Sequence, residues 1–119
     1  MIHRHYTKVA KYCGVNASLL FYHIAYWVDQ NRKEGKNMHC GKYWMYTTVQ
    51  GLAETTFDYL TPNQIRYALD KLRESGLIMT GNFNKTTYDR TLWYTLSEEG
   101  ERISREMQRE MRAKPNGTL

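Results

Sequence analysis

The sequence predicts an α+β fold, mostly α, on three observations. Leu60 to Ile78, LTPNQIRYALDKLRESGLI, holds a helix with both ends marked. Three other stretches, beginning near Asn16, Thr47 and Ser97, repeat apolar residues at helical spacing. After Gly76 the period changes to two, over Leu77 to Thr80 and Leu92 to Leu96, the pattern of two antiparallel strands.

Residues 1–15 carry Arg4, Lys8 and Lys11 with little apolar content and read as a basic arm or one short extended segment. Asn16 can cap a first helix running to about Asn31. Leu20, Ile24, Trp27 and Val28 form its apolar stripe, and Phe21, Tyr22 and Tyr26 widen it. NRKEGKNMHCG is a polar loop, and KYWMY a short aromatic strand. Thr47 or Thr48 caps a second helix with Val49, Leu52 and Ala53 inward and Phe57 near its end.

The central helix has the most complete local code. Thr61 is its N-cap, Pro62 takes the first helical position, and Gln64 completes a capping box. Leu60 and Ile65 can close a hydrophobic staple, and Gly76 can take the left-handed position past the end. Ile65, Ala68, Leu69 and Leu72 make the buried stripe. Asn63, Gln64, Arg66, Tyr67, Lys71 and Arg73 are left for a polar, basic front.

The two strands flank GNFNKTTYDR, so they form a hairpin with a long polar tip holding Lys85 and Arg90. A final helix covers 97–114, with Glu98–Arg102, Glu101–Arg105 and Glu110–Lys114 at ion-pair spacing and a thin apolar line of Ile103, Met107 and Met111. The last residues, PNGTL, read as frayed. The chain thus divides into an arm (1–15), one domain (16–96) and a C-terminal helix with its tail (97–119).

Helix, strand, helix, turn, helix and hairpin is the order of a winged helix-turn-helix with a two-stranded wing and an extra C-terminal helix. That fold sets its third helix in the major groove and its wing on the adjoining backbone. The net charge of +5 and a pI near 9.2 favour an acidic partner, of which nucleic acid is the common one. Arg66, Gln64 and Asn63 are the expected base readers, because Arg suits guanine and Asn or Gln suits adenine. Tyr67, Lys71, Lys85 and Arg90 are expected to hold phosphates or line the minor groove of double-stranded DNA.

YWVDQNR, GKYWMY, FDYLTPNQIRYALDKLRESGLI and TGNFNKTTYDRTLWYT resemble the N-terminal domain of Gram-positive phage replication proteins, the replisome organisers related to DnaD-like primosome initiators. The resemblance covers about residues 17–96. It implies origin-DNA binding. Family members recruit host replication proteins through further C-terminal regions, and nothing after residue 114 matches such a region.

Other chemistry has weaker footing. His3, His5, His23, His39, Cys13 and Cys40 show no metal-ligand spacing, so no metal or cofactor is expected. No phosphate-binding glycine loop and no nucleophile elbow is present, and an enzyme is not expected. Two cysteines make no disulfide framework, and no secretory leader or bilayer-length apolar run occurs, so a cytoplasmic protein with no membrane contact is expected. The ten tyrosines and three tryptophans are assigned to core and wing packing, Tyr67 excepted. Two readings remain open. A phage-encoded interaction module could act on a host replication or defence complex, for example as an inhibitor of a CRISPR nuclease. A homodimer could bury Ile103, Met107 and Met111 across a two-fold axis.

Overall fold

Apolar residues from five helices and the three-stranded sheet meet in a single core. The computed structural model describes residues 7–86 and 91–113. In chain order the elements are α1 (Thr7–Cys13), α2 (Val15–Glu34), β1 (Met38–His39), β2 (Lys42–Tyr43), β3 (Met45–Thr47), α3 (Val49–Glu54), α4 (Pro62–Glu74), β4 (Ile78–Gly81), β5 (Leu92–Leu96) and α5 (Glu98–Ala113). The fold is α+β, mostly α, with two small antiparallel sheets.

The core centre is α2 against α4. Leu20, Phe21 and Ile24 from α2 meet Ile65 and Leu72 from α4, and Phe57 closes the cluster from the turn after α3; all six are fully buried. Burying such side chains contributes about 1.5–3 kcal/mol each. The sheet order is β3-β5-β4, with Met45 opposite Tyr94 and Ile78 opposite Leu96. β5 is therefore the central strand, and it is buried from Trp93 to Leu96 because α2 and α5 lie over it.

Several expectations need correction. The segment read as an extended basic arm contains α1. Val9 and Cys13, four residues apart, are buried against α2, and two apolar residues are too few to reveal a helical period. The first helix begins at Val15, not after Asn16; its N-cap is Gly14, with φ of 95° and no side-chain cap. Trp27, placed on the inward stripe, is 43 % exposed, and Tyr26 is 47 % exposed. Phe21 and Tyr22 widen the stripe as expected, whereas Tyr26 and Trp27 fall outside it.

The polar loop after α2 holds a hairpin. Met38 pairs with Tyr43 and His39 with Lys42, and Cys40 and Gly41 both take positive φ, as a type I′ turn requires. The aromatic strand is broken at Trp44, whose N–H donates to the Asn37 carbonyl at 3.1 Å and whose indole donates to the His39 carbonyl at 2.8 Å. The Trp44 carbonyl accepts from the buried Asn31 amide at 2.7 Å, tying α2 to the sheet.

α5 packs on its own chain. Its backbone passes so close to the turn after α4 that a Cβ on Gly100 would lie 2.1 Å from the Leu77 carbonyl oxygen. Ser104 is buried, and Ile103 and Met107 pack against the core. The premise that this stripe is left for a two-fold partner fails at two of its three positions; the Met111 side chain lies outside the described residues. The ion pairs also differ: Arg102 bonds Glu99 and, at 2.8 Å, Glu106, while Glu101 faces Lys42 at 3.6 Å. Spacings of three and four are both open to a helical guanidinium, and the sheet supplied a lysine that helical spacing cannot anticipate.

Gly100→Ala should destabilise the fold by about 1–3 kcal/mol, the range for a forced contact in a packed interior. Urea unfolding checks this; a loss below 0.5 kcal/mol, the ordinary scatter of surface substitutions, would show that α5 is not docked at Leu77.

Candidate functional site

The polar front belongs to α4, and local bonds fix both ends of that helix. Gln64 N–H donates to the Thr61 hydroxyl at 3.1 Å, and Thr61 N–H donates to the Gln64 side-chain oxygen at 2.9 Å, which is the expected capping box. At the far end Gly76, with φ of 73°, donates to the Arg73 carbonyl and Leu77 to the Leu72 carbonyl, both at 3.0 Å. These bonds satisfy the terminal groups a free helix end leaves open. The register of α4 is thereby set, and with it the residues that face out.

Asn63, Gln64, Arg66 and Tyr67 are exposed, Tyr67 to 64 %, and Lys71 is half-buried. Each has a local contact. The Arg66 guanidinium donates to the Asn63 side-chain oxygen at 3.0 Å. The Lys71 ammonium lies 5.3 Å from the Tyr67 ring centroid. Gln64 is committed to the cap through its oxygen, so its expected role as a base reader is reduced to its amide nitrogen. Lys85 is exposed beyond β4. Arg90 lies outside the described residues.

Sequence reasoning missed an acid on this front. Asp70 is exposed near its centre, three residues from Arg73, and their side chains meet at 3.1 Å. Counting i, i+3, i+4 and i+7 from Asn63 reaches Arg66, Tyr67 and Asp70 on one face, so the signal was available. The pair is more than half exposed on both sides and contributes roughly 0–1 kcal/mol.

Beside this front a groove of about 280 Å³ runs between α4 and the sheet. Arg66, Leu69, Asp70 and Arg73 form one wall; Thr80, Leu92 and Tyr94 form the other, with Val49 of α3. Thr80 and Tyr94 are cross-strand partners, and Leu92 lies two residues before Tyr94, so all three share one sheet face. Tyr94 is 3 % exposed, and its hydroxyl has no hydrogen-bond partner among the described residues. Burial pushes its pKa from 10.0 up to about 12; Asp70 adds to the rise and Arg73 opposes it.

The opposite face of β5 carries an aromatic cluster. His39 stacks on Phe83 at 4.3 Å, and Trp93 meets His39, Phe83 and Tyr46. Asn84 locks the start of the β4–β5 connection: its side chain accepts from the Trp93 indole and donates to the Thr91 carbonyl, both at 2.8 Å. Trp44 and Trp93 are thus packing residues, as the sequence indicated. A larger cavity of about 470 Å³ lies between α1, the end of α4 and α5, lined by Val9, Cys13, Leu77 and Ile103. Its one guanidinium, Arg102, is taken by two carboxylates. Cys13 and Cys40 are free thiols, and the described residues bring no three metal-ligating side chains together. No described helix is long and apolar enough to cross a membrane.

The Tyr94 shift fixes a pH dependence. A folded-state pKa above the unfolded value means the unfolded chain loses the proton first, so stability falls as pH rises from 10 through about 12. The loss should reach about 2 kcal/mol, and Tyr94→Phe should abolish that part of it. Denaturant unfolding of both proteins across this range is the check; equal losses would show that Tyr94 ionises normally.

No protein-family model, curated protein or solved structure matches this chain.

Proposed function

We propose that α2, α3, α4 and the β4–β5 hairpin form a winged helix-turn-helix and that the chain binds double-stranded DNA, with α4 in the major groove. The observation that carries this reading is the basic, polar face of α4 beside the hairpin: Asn63, Arg66, Tyr67 and Arg73 stand exposed, with Lys85 just past β4. The net charge of +5 supports an anionic partner. The local contacts of Arg66 and Arg73 are exposed and weak, so both guanidiniums can turn to DNA at small cost. Arg66 and Asn63 suit base edges, and Tyr67, Lys71 and Lys85 suit phosphates. The resemblance to phage replication proteins supports a role in replication initiation, and a transcription regulator would use the same surface.

A second reading has its own observation. Tyr26, Trp27 and Tyr59 are exposed aromatics joined by edge contacts among Tyr26, Trp27, His23 and Phe57. Such a patch suits a protein interface, as an interaction module acting on a host replication or defence complex would need.

Arg66→Ala should weaken binding to the preferred duplex by about 1–3 kcal/mol and relax its base preference. Titration against a selected and a random duplex checks this, and equal losses on both would reduce Arg66 to a phosphate contact. Lys85→Ala should weaken binding to all duplexes alike and lower the salt slope by about one unit. An unchanged slope would remove Lys85 from the interface.

A further inference from the structure

Tyr94 differs from the buried polar groups nearest to it in the sheet. Thr95 beside it donates to the Tyr43 carbonyl at 2.6 Å, and Asn31 donates to the Trp44 carbonyl at 2.7 Å. Tyr94 as a residue is as buried as these two, and its hydroxyl makes no hydrogen bond among the described residues. It lines a groove whose other wall presents two guanidiniums and one carboxylate. The carboxylate, Asp70, is close enough to raise the Tyr94 pKa, yet it bonds Arg73 and not the hydroxyl. Two guanidiniums and the Tyr94 and Thr80 hydroxyls therefore border one open space of about 280 Å³, many times the ~30 Å³ share of a water molecule.

We infer that this groove is a seat for one tetrahedral oxyanion, held by the Arg73 guanidinium and the Tyr94 hydroxyl, with Arg66 at its rim adding positive charge while it reaches the base edges. The summed charge of Arg66, Arg73 and Asp70 is +1, which favours a singly charged anion such as a phosphodiester. Arg73 exchanges an exposed carboxylate for the anion, and the hydroxyl gains the acceptor it lacks. A hydroxyl held protonated by burial donates to an anion over the whole neutral range. Leu69, Leu92 and Val49 supply its apolar edge. The inference rests on the duplex reading for the source of the phosphate, and on the groove alone for its chemistry. It assigns Tyr94, on the central strand, a direct part in binding.

Tyr94→Phe is the informative substitution, because the hydroxyl it removes has no hydrogen bond to lose; the variant should be at least as stable in chloride. Arg73→Gln, at an exposed helical position, is the second variant. Melting temperatures of the intact protein and both variants are compared in diethyl phosphate and in chloride at equal ionic strength, and their affinities for a duplex are measured alongside. A larger phosphate-dependent rise for the intact protein than for either variant supports the seat. So does a loss of about tenfold in duplex affinity for Tyr94→Phe, the size of one hydrogen bond to a charged group. Equal responses of all three proteins in both arms overturn it. A selective rise in diethyl phosphate with no duplex binding by any protein keeps the seat and removes the duplex reading. Duplex binding that is identical in all three, with no selective rise, keeps the duplex reading and removes the seat.

Discussion

The packing of α4 against α2 is the contact from which the other features follow. Ile65, Ala68, Leu69 and Leu72 occupy one side of α4 completely, so its remaining residues must point outward. The capping box at Thr61 and the glycine at Gly76 prevent the helix from sliding or unwinding to change that choice. Leu77 then turns inward, and its carbonyl receives the N–H of Ser97 at 3.0 Å. The start of β4, the end of β5 and the approach of α5 to the domain all pass through this corner. A substitution that loosens α4 would disturb the polar front, the groove and the α5 contact together.

β5 is the second organiser, and it separates two kinds of chemistry. Trp93 looks into the aromatic cluster with His39 and Phe83, while Leu92 and Tyr94 look into the groove. Alternation along one strand thus joins a rigid hairpin base to a polar recess. The cluster is mainly structural: Asn84 and the Trp93 indole hold the chain where it leaves the sheet. The recess is not finished in the same way, because it keeps a buried donor and two guanidiniums without a common acceptor. In the proposed winged helix the recess lies between the reading helix and the wing, where a DNA backbone would pass.

Local signals in the sequence were reliable wherever the code is short-range. Thr61, Pro62, Gln64 and Gly76 mark α4 because capping is decided within four residues. The two hairpin strands follow from a change of period at Gly76. Where tertiary contacts decide, the sequence was silent or misleading. Among the described side chains of α1, Val9 and Cys13 are the buried ones, and β1 and β2 are two residues each, with a Cys-Gly turn in place of the usual Asn-Gly. Trp27 has the right spacing for the core, but it stays 43 % exposed and meets His23 and Tyr26 edge-on. The site shows the same division. Arg66, Tyr67 and Asn63 can be read from helical geometry, and Asp70 could have been. Tyr94 could not, because nothing in LWYTL shows that its hydroxyl ends without a partner opposite Asp70 and Arg73.

The central claim is that the α4 front and its neighbouring hairpin meet the phosphate backbone of a duplex. The most direct measurement is the dissociation constant of the intact chain for a DNA duplex over roughly 50 to 200 mM salt. Binding at low salt is expected, with a linear fall of log affinity with log salt and a slope near −0.9 for each phosphate engaged. Absence of binding at the lowest salt, or an affinity indifferent to salt, would contradict it.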